Sequence, residues 1–274
     1  MFTKLLKHEW RATKGVLALL CVIILIAGIT IGSTMHYMAW ADRNGTLNQL
    51  EPGIGTKFTA VVSVMLIMAG VGAVAVCSAG SLFFLIYRFY KRCFTDEGYL
   101  TFTLPVTTHQ ILLSSLVNTI IGELIMGIAV VLAIGIAALL FLTAFPENLI
   151  WADVSVGLKE AFVQMWASLV QNLDVLSSLT ITGIIGALSE LIVLMLAVTI
   201  GALIARKHKI LAAFAVYYGI SMVQSFALTF SNLSVITDQS IQKSFFVTSL
   251  TSLIIAVGAY FLMHYLTDKK LNLT

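Results

Sequence analysis

Residues able to do chemistry are sparse in this sequence, and the patterns that resemble enzyme motifs are incomplete. His8 and Glu9 begin HEWRA, but Ala12 stands where a zinc-binding HExxH helix needs its second histidine. The stretch 53–57, GIGTK, lacks the GKS or GKT ending of a phosphate-binding loop. The five histidines are dispersed, and the sequence contains no Gly-x-Ser-x-Gly elbow and no acidic metal cluster. We therefore expect no catalytic residues, no bound metal and no cofactor on this chain.

Two carboxylic acids, Glu123 and Glu190, lie inside long apolar runs. An ionisable side chain at such a position is costly and is often functional. A helix rises about 1.5 Å per residue. Measured from the helix ends predicted to be cytoplasmic, Glu123 lies about 20 Å into the membrane, Glu190 about 22 Å and Gln224 about 21 Å. The shared depth predicts an intramembrane polar layer that lines a substrate path or a gate. The alternative is that these side chains only hydrogen-bond neighbouring helices as packing groups.

The composition is that of a membrane protein. The chain has 274 residues, of which 59% are hydrophobic and only 11% are charged, whereas soluble domains have about 25% charged residues. The formal net charge of +3 is too small to indicate nucleic acid as a partner. Three scattered cysteines without paired spacing favour neither a disulfide framework nor a zinc site.

Six runs are long and apolar enough to cross a membrane as helices, which need about 20 apolar residues each. Because lipid offers no partner to free backbone groups, we predict an all-α membrane domain covering 1–274. The predicted spans are 15–38, 57–88, 110–145, 178–205, 210–235 and 244–267. Gly28 and Gly32 in span one form a GxxxG pattern, which permits close helix contact and is a modest indication of dimerisation.

Lysine and arginine placement predicts the orientation of these spans. Twelve of the 16 basic residues fall on one side, in the connections near residues 4–14, 88–92, 206–209 and 269–270. Because basic residues accumulate on the cytoplasmic side, both termini are predicted to be cytoplasmic. The sequence thus predicts a multi-pass protein of the plasma membrane.

The N-terminal residues 2–14, FTKLLKHEWRATK, have apolar residues at helical spacing with basic residues between them. A basic amphipathic helix with an aromatic anchor is typical of the membrane interface. We predict an elbow helix on the inner leaflet, in contact with lipid, that leads into span one. Its characteristic residues are Lys7, Glu9, Trp10 and Arg11.

The long outer connection 146–177 also has a helical pattern. Its apolar residues between Leu158 and Leu173 recur with a period of about 3.6 residues. This pattern predicts an outer interfacial helix, which could equally cap the mouth of a pathway.

The segment 94–105, FTDEGYLTFTLP, interrupts the apolar chain between spans two and three. Asp96 and Glu97 supply acids, and Gly98 permits a sharp break. An aromatic and apolar surface too short to cross the membrane follows, and Pro105 closes the segment. Thr107 and Gln110 have the spacing of a capping box that begins span three. The pattern predicts a helix–break–helix lever within 91–108, where a pressing partner would move spans two and three together.

The run 87–116, YRFYKRCFTDEGYLTFTLPVTTHQILLSSL, closely resembles permease subunits of ABC-2-type ABC transporters of Gram-positive bacteria. The resemblance is specific over this run and is supported elsewhere by the six-span plan and by the K-x-E-x-x-A start at Lys7, Glu9 and Ala12. One departure is Ser115, where the family pattern has a lysine.

The resemblance implies a six-span exporter permease of the bacterial cytoplasmic membrane that pairs with an identical or homologous permease. A separate cytoplasmic ABC ATPase subunit would bind ATP and Mg²⁺ and drive it. The 94–105 segment would be the coupling helix that enters a groove of that ATPase. The implied coupling residues are Phe94, Asp96, Glu97, Gly98, Tyr99, Leu100, Phe102 and Pro105.

Two other functions are compatible with the sequence. The first is a non-transporting membrane sensor or scaffold of a peptide-resistance complex. The second is a proton-coupled secondary transporter that uses Glu123 and Glu190 as proton carriers, although the 94–105 segment has no role in that mechanism. The sequence does not identify the substrate, beyond favouring a hydrophobic or amphipathic peptide, lipid or antibiotic.

Overall fold

The computed structural model describes residues 2–43, 54–95, 97–98, 106–143, 164, 167, 173–205, 208–233 and 241–269. Within these ranges the chain is helical and contains no strand. The six long helices are α1 (Phe2–Arg43), α2 (Ile54–Phe94), α3 (Thr108–Leu142), α4 (Leu173–Ile204), α5 (Lys209–Leu233) and α6 (Ile241–Lys269).

All six helices are long and apolar enough to cross a membrane. Intrahelical hydrogen bonds satisfy the backbone without water, so apolar side chains can face lipid at no hydrogen-bonding cost. The predictions of an all-helical chain and of a multi-pass membrane protein are therefore confirmed for the part of the chain that is described.

Several helices extend beyond the ends of the predicted spans. α1 runs without interruption through both the predicted elbow and span one, and α2 continues six residues past the predicted end of span two, to Phe94. A distinct elbow that lies on the membrane stays a prediction. The predicted outer helix between Leu158 and Leu173 falls almost wholly outside the described residues.

The chain divides into two compact units. The first unit comprises Met1–Glu9, Phe84–Ile120 and Trp166–Thr274, and the second comprises Trp10–Phe83 and Ile121–Met165. α4 to α6 thus belong to the first unit, while α1, α2 and α3 contribute to both.

The first unit has α4 at its centre. α4 packs against both α5 and α6, and half of its most apolar window is buried, against 6% for α5. The end of α2 and the start of α3 complete the core. The buried residues of this core are Phe89, Cys93, Phe94, Ile111, Leu112, Val193, Met195, Leu196, Ala259 and Met263. The segments that flank 94–105 therefore belong to the packed interior.

The second unit contains a close crossing of α1 with α3. A Cβ placed on Gly28 would lie 2.7 Å from the carbonyl oxygen of Ala133, and one on Gly32 would lie 2.8 Å from the Cα of Ala137. Small residues on both helices let the two backbones approach this closely. The GxxxG pattern is thus used inside this unit, and it no longer provides an argument for dimerisation.

Candidate functional site

The structure describes the helices that flank the 94–105 segment. α2 ends at Phe94 and α3 begins at Thr108. Thr95, Glu97 and Gly98 are described between them, whereas Asp96, Tyr99, Leu100, Phe102 and Pro105 lie outside the described residues. The structure therefore bears on how the segment is anchored.

The chain turns sharply just after α2. The Thr95 hydroxyl donates to the carbonyl of Lys91, and the Gly98 amide donates to the carbonyl of Thr95 at 2.7 Å. A Cβ on Gly98 would lie 2.7 Å from the carbonyl oxygen of Cys93. Glycine is needed here because its backbone lies against the last turn of α2.

A surface ion pair connects the last turn of α2 to the residues that follow it. The Lys91 ammonium lies 2.8 Å from the Glu97 carboxylate, and both side chains are almost half exposed. The hydrogen bond from Lys91 holds the pKa of Glu97 below its ordinary value. Glu97 therefore remains a surface anion at neutral pH.

Phe94, one of the coupling residues that the family resemblance implies, is buried in this structure. It is 7% exposed, and its ring packs edge-on against Phe89 at 5.8 Å and stacks with Tyr90 at 6.3 Å. This packing joins the start of the segment to the core of the first unit.

The first hydrogen bonds of α3 are accepted by the carbonyl of Thr107. Gln110 and Ile111 donate their amides to the carbonyl of Thr107, at 2.9 and 3.3 Å. Thr107 thus occupies the N-cap position that the T-x-x-Q spacing predicts.

A buried polar cluster joins the start of α1, the end of α2 and the start of α3. The Arg92 guanidinium on α2 forms an ion pair with the Glu9 carboxylate on α1, and the two side chains are 13% and 10% exposed. Ser115 on α3 donates to the same Glu9 oxygen at 2.6 Å. Arg92 also donates to Ser114 and Ser115, at 3.2 and 3.3 Å. We call Glu9, Arg92, Ser114 and Ser115 the basal cluster.

The local sequence explains how the basal cluster forms. Glu9 is the only acid in the otherwise basic 2–14 region and lies on the opposite side of the helix from Lys4. Arg92 lies two residues before the end of α2, and Ser114 and Ser115 lie in the second turn of α3. A buried charge requires a partner and additional hydrogen bonds, and this cluster supplies both.

In the sequence, Glu9 is the acid of the predicted elbow and Arg92 is one of the basic residues before 94–105, but no sequence pattern indicates that the two side chains pair. A lone acid in a basic helix was the available signal. The other predicted elbow residues differ from Glu9, because Lys7 and Arg11 are exposed and Trp10 is half-buried.

The predicted polar layer is distributed over both units. In the first unit, the Tyr217 hydroxyl on α5 donates to the Glu190 carboxylate on α4. In the second unit, Ser81 on α2 donates to Glu123 on α3 at 3.2 Å. Each acid therefore has a hydroxyl partner on a neighbouring helix of its own unit, as the packing interpretation requires.

Gln224, the third member of that layer, lies on α5 with its Oε1 buried and without a hydrogen-bond donor among the described residues. Tyr217 and Gln224 are seven residues apart, so they share one face of α5. Tyr217 is not evident as a polar partner from the sequence, because its aromatic ring resembles the apolar residues around it.

The part of the chain that the structure describes holds no group of three metal-binding side chains. Comparison with known protein families, with curated proteins and with solved structures found no match to this chain.

Proposed function

We propose that this chain is the permease subunit of an ATP-driven exporter, and that the 94–105 segment is its contact with a separate cytoplasmic ATPase. The observation that supports this most strongly is the basal cluster. It joins the helix before the segment, the helix after it and the first turns of α1 by buried charged and polar contacts.

The cluster gives the segment mechanical leverage. Arg92 on α2 donates a hydrogen bond to Ser115 on α3. Glu9 on α1 pairs with Arg92 and accepts from Ser115, so all three helices are joined. Rigid contacts of this kind transmit displacement, because close-packed interiors shift between discrete arrangements rather than deforming gradually. A partner that presses on the segment would therefore move all three helix ends together.

Ser115 supports the proposal despite its departure from the family pattern. In the resembling permeases a lysine stands at this position, whereas here Ser115 is 3% exposed and donates to Glu9. Arg92 supplies the positive charge beside it. A positive group and a hydrogen-bond donor are thus both present at the base of the segment.

In the proposed cycle, ATP binding closes two ATPase subunits, which push the coupling segments of two paired permeases. The spans then rearrange, and the pathway opens outward for a hydrophobic or amphipathic substrate. This cycle places the chain in the bacterial plasma membrane with both termini in the cytoplasm. ATP and Mg²⁺ bind to the partner and not to this chain.

Two alternatives predict different behaviour. A sensor or scaffold would bind the ATPase but move no substrate. A secondary transporter would work alone, driven by a proton gradient through Glu123 and Glu190, and would be indifferent to ATP. Transport by the purified chain without any ATPase would therefore support the second alternative and contradict the proposal.

Replacement of Tyr99 and Leu100 by glutamate tests the contact. We expect this double variant to insert normally and to lose at least tenfold in recovery of the ATPase during affinity purification from native membranes. Buried aromatic anchors contribute most of the energy at such interfaces, and charge there is strongly unfavourable. Lys209→Gln, which removes a charge at the start of α5, is the control and should keep the ATPase. Unchanged recovery from the double variant would refute the proposed contact.

A further inference from the structure

The start of α3 is attached to the end of α6 by a pair of stacked histidines. The rings of His109 and His264 are 3.7 Å apart between centroids and are inclined by only 16°. His109 Nδ1 also lies 3.0 Å from the hydroxyl of Tyr260, one turn before His264 on α6. All three residues belong to the first unit.

A second contact lies beside the pair. Thr108 donates its hydroxyl to the Asp268 carboxylate at 3.2 Å. Asp268 is one turn beyond His264, so it lies on the same face of α6. Lys269 is next in sequence, and its ammonium lies 5.3 Å from the centre of the Tyr265 ring. Tyr260, Tyr265, Asp268 and Lys269 are thus the titratable or charged residues that α6 places near His264 in sequence. Tyr260 also packs against the core of the first unit, as do Tyr90 of α2 and Tyr217 of α5.

We propose that His109 and His264 form a proton-operated latch between the start of α3 and the end of α6. The latch is closed when at most one ring is protonated and opens when both are. As regulation of the 94–105 segment, this inference rests on the proposed function, because His109 follows that segment directly at the first turn of α3.

The physical basis is the charge on the stack. Two neutral imidazoles, or one neutral ring and one cation, stack favourably, and Asp268 supplies a nearby negative charge for a single proton. Two cations at this separation repel, which weakens the closed state severalfold even at the dielectric constant of water and more at the lower effective value near a protein surface. Histidine is the side chain whose charge changes most readily between neutral and mildly acidic conditions, so acidification supplies the second charge.

Opening the latch removes a contact that holds the first turn of α3, which follows the 94–105 segment. The basal cluster holds the second turn of α3 on one side, through Ser114 and Ser115. The latch holds the first turn on another side, through Thr108 and His109. Acidification would therefore free the first turn of α3 while the basal cluster remains, and would loosen the connection between the segment and α6.

Pulsed EPR on the purified chain in lipid nanodiscs tests this inference. Spin labels at Leu113 on α3 and Leu262 on α6, both exposed, report the distance between the two helices. We expect a longer-distance population at pH 5 that is absent at pH 8. His109→Gln and His264→Gln should each abolish this transition, because glutamine forms hydrogen bonds but takes up no proton. His208→Gln, which changes an exposed histidine between α4 and α5, is the matched control and should preserve it.

A distance that does not change between pH 8 and pH 5, or a transition that persists in both His109→Gln and His264→Gln, would overturn the latch. Because this measurement needs no ATPase, its outcome is independent of whether the chain is a permease. Loss of ATPase binding at acidic pH in the wild type, but not in His264→Gln, would connect the latch to the proposed function.

Discussion

Glu9→Gln lowers the free energy of unfolding by about 3–5 kcal/mol, because the Arg92 charge then stays buried without its counter-charge. The glutamine amide has the same size and can still accept a hydrogen bond from Ser115. The substitution therefore measures the effect of removing the negative charge alone. SDS-titrated unfolding in mixed micelles measures the loss. The neighbouring Lys91–Glu97 pair provides a matched control, because it is almost half exposed. Glu97→Gln should cost at most about 1 kcal/mol.

The double variant Glu9→Gln with Arg92→Gln separates pairing from general damage. Removing both charges leaves no isolated buried ion, so much of the lost stability should return. If the double variant is as unstable as the sum of the two single variants, the two side chains do not act as a pair. A double variant that is stable and binds the ATPase but fails to transport would show that the basal cluster transmits movement.

Gly28→Leu disrupts the crossing of α1 with α3. The new Cβ meets the backbone of Ala133 at 2.7–2.8 Å, and backbone atoms cannot move aside as a flexible side chain can. Overpacking costs about 1–3 kcal/mol and occasionally more, whereas the gain in helix propensity over glycine is under about 1 kcal/mol. Steric overlap therefore dominates, and we expect a loss of about 2 kcal/mol or more together with a reduced folded fraction after heating.

Gly72→Leu is the control for this substitution. Gly72 lies in α2 with nothing within 4 Å of its Cβ position, so leucine there should leave stability within about 1 kcal/mol of wild type. Equal effects of the two substitutions would mean that the α1–α3 crossing is not held by small residues.

The helices could be predicted from sequence because membrane insertion constrains each run independently. A run of about 20 apolar residues must be helical in lipid, whatever its neighbours do. The ends of the helices are predicted less accurately, because the apolar pattern does not indicate that α2 continues through Arg92 to Phe94. Those last residues are held by packing in the core of the first unit.

The pairings could not be predicted, because they depend on which helices meet. Glu9 and Ser115 are 106 positions apart in the sequence, and the stacked histidines are separated by most of the chain. Glu190 was recognised as an unusual acid, but Tyr217 became visible as its partner only when α4 and α5 were placed side by side. The segment 94–105 itself was recognised from its residues, and its role as the coupling site stays a prediction.

Photo-cross-linking from position 102 tests the central claim most directly. A benzophenone amino acid in place of Phe102, in native membranes, captures whatever touches the segment. We expect one major adduct with a soluble protein that mass spectrometry identifies as an ABC ATPase, and none from the same probe at Trp40, on the predicted outer side. Adducts with lipid alone, or with proteins that bind no nucleotide, would contradict the account.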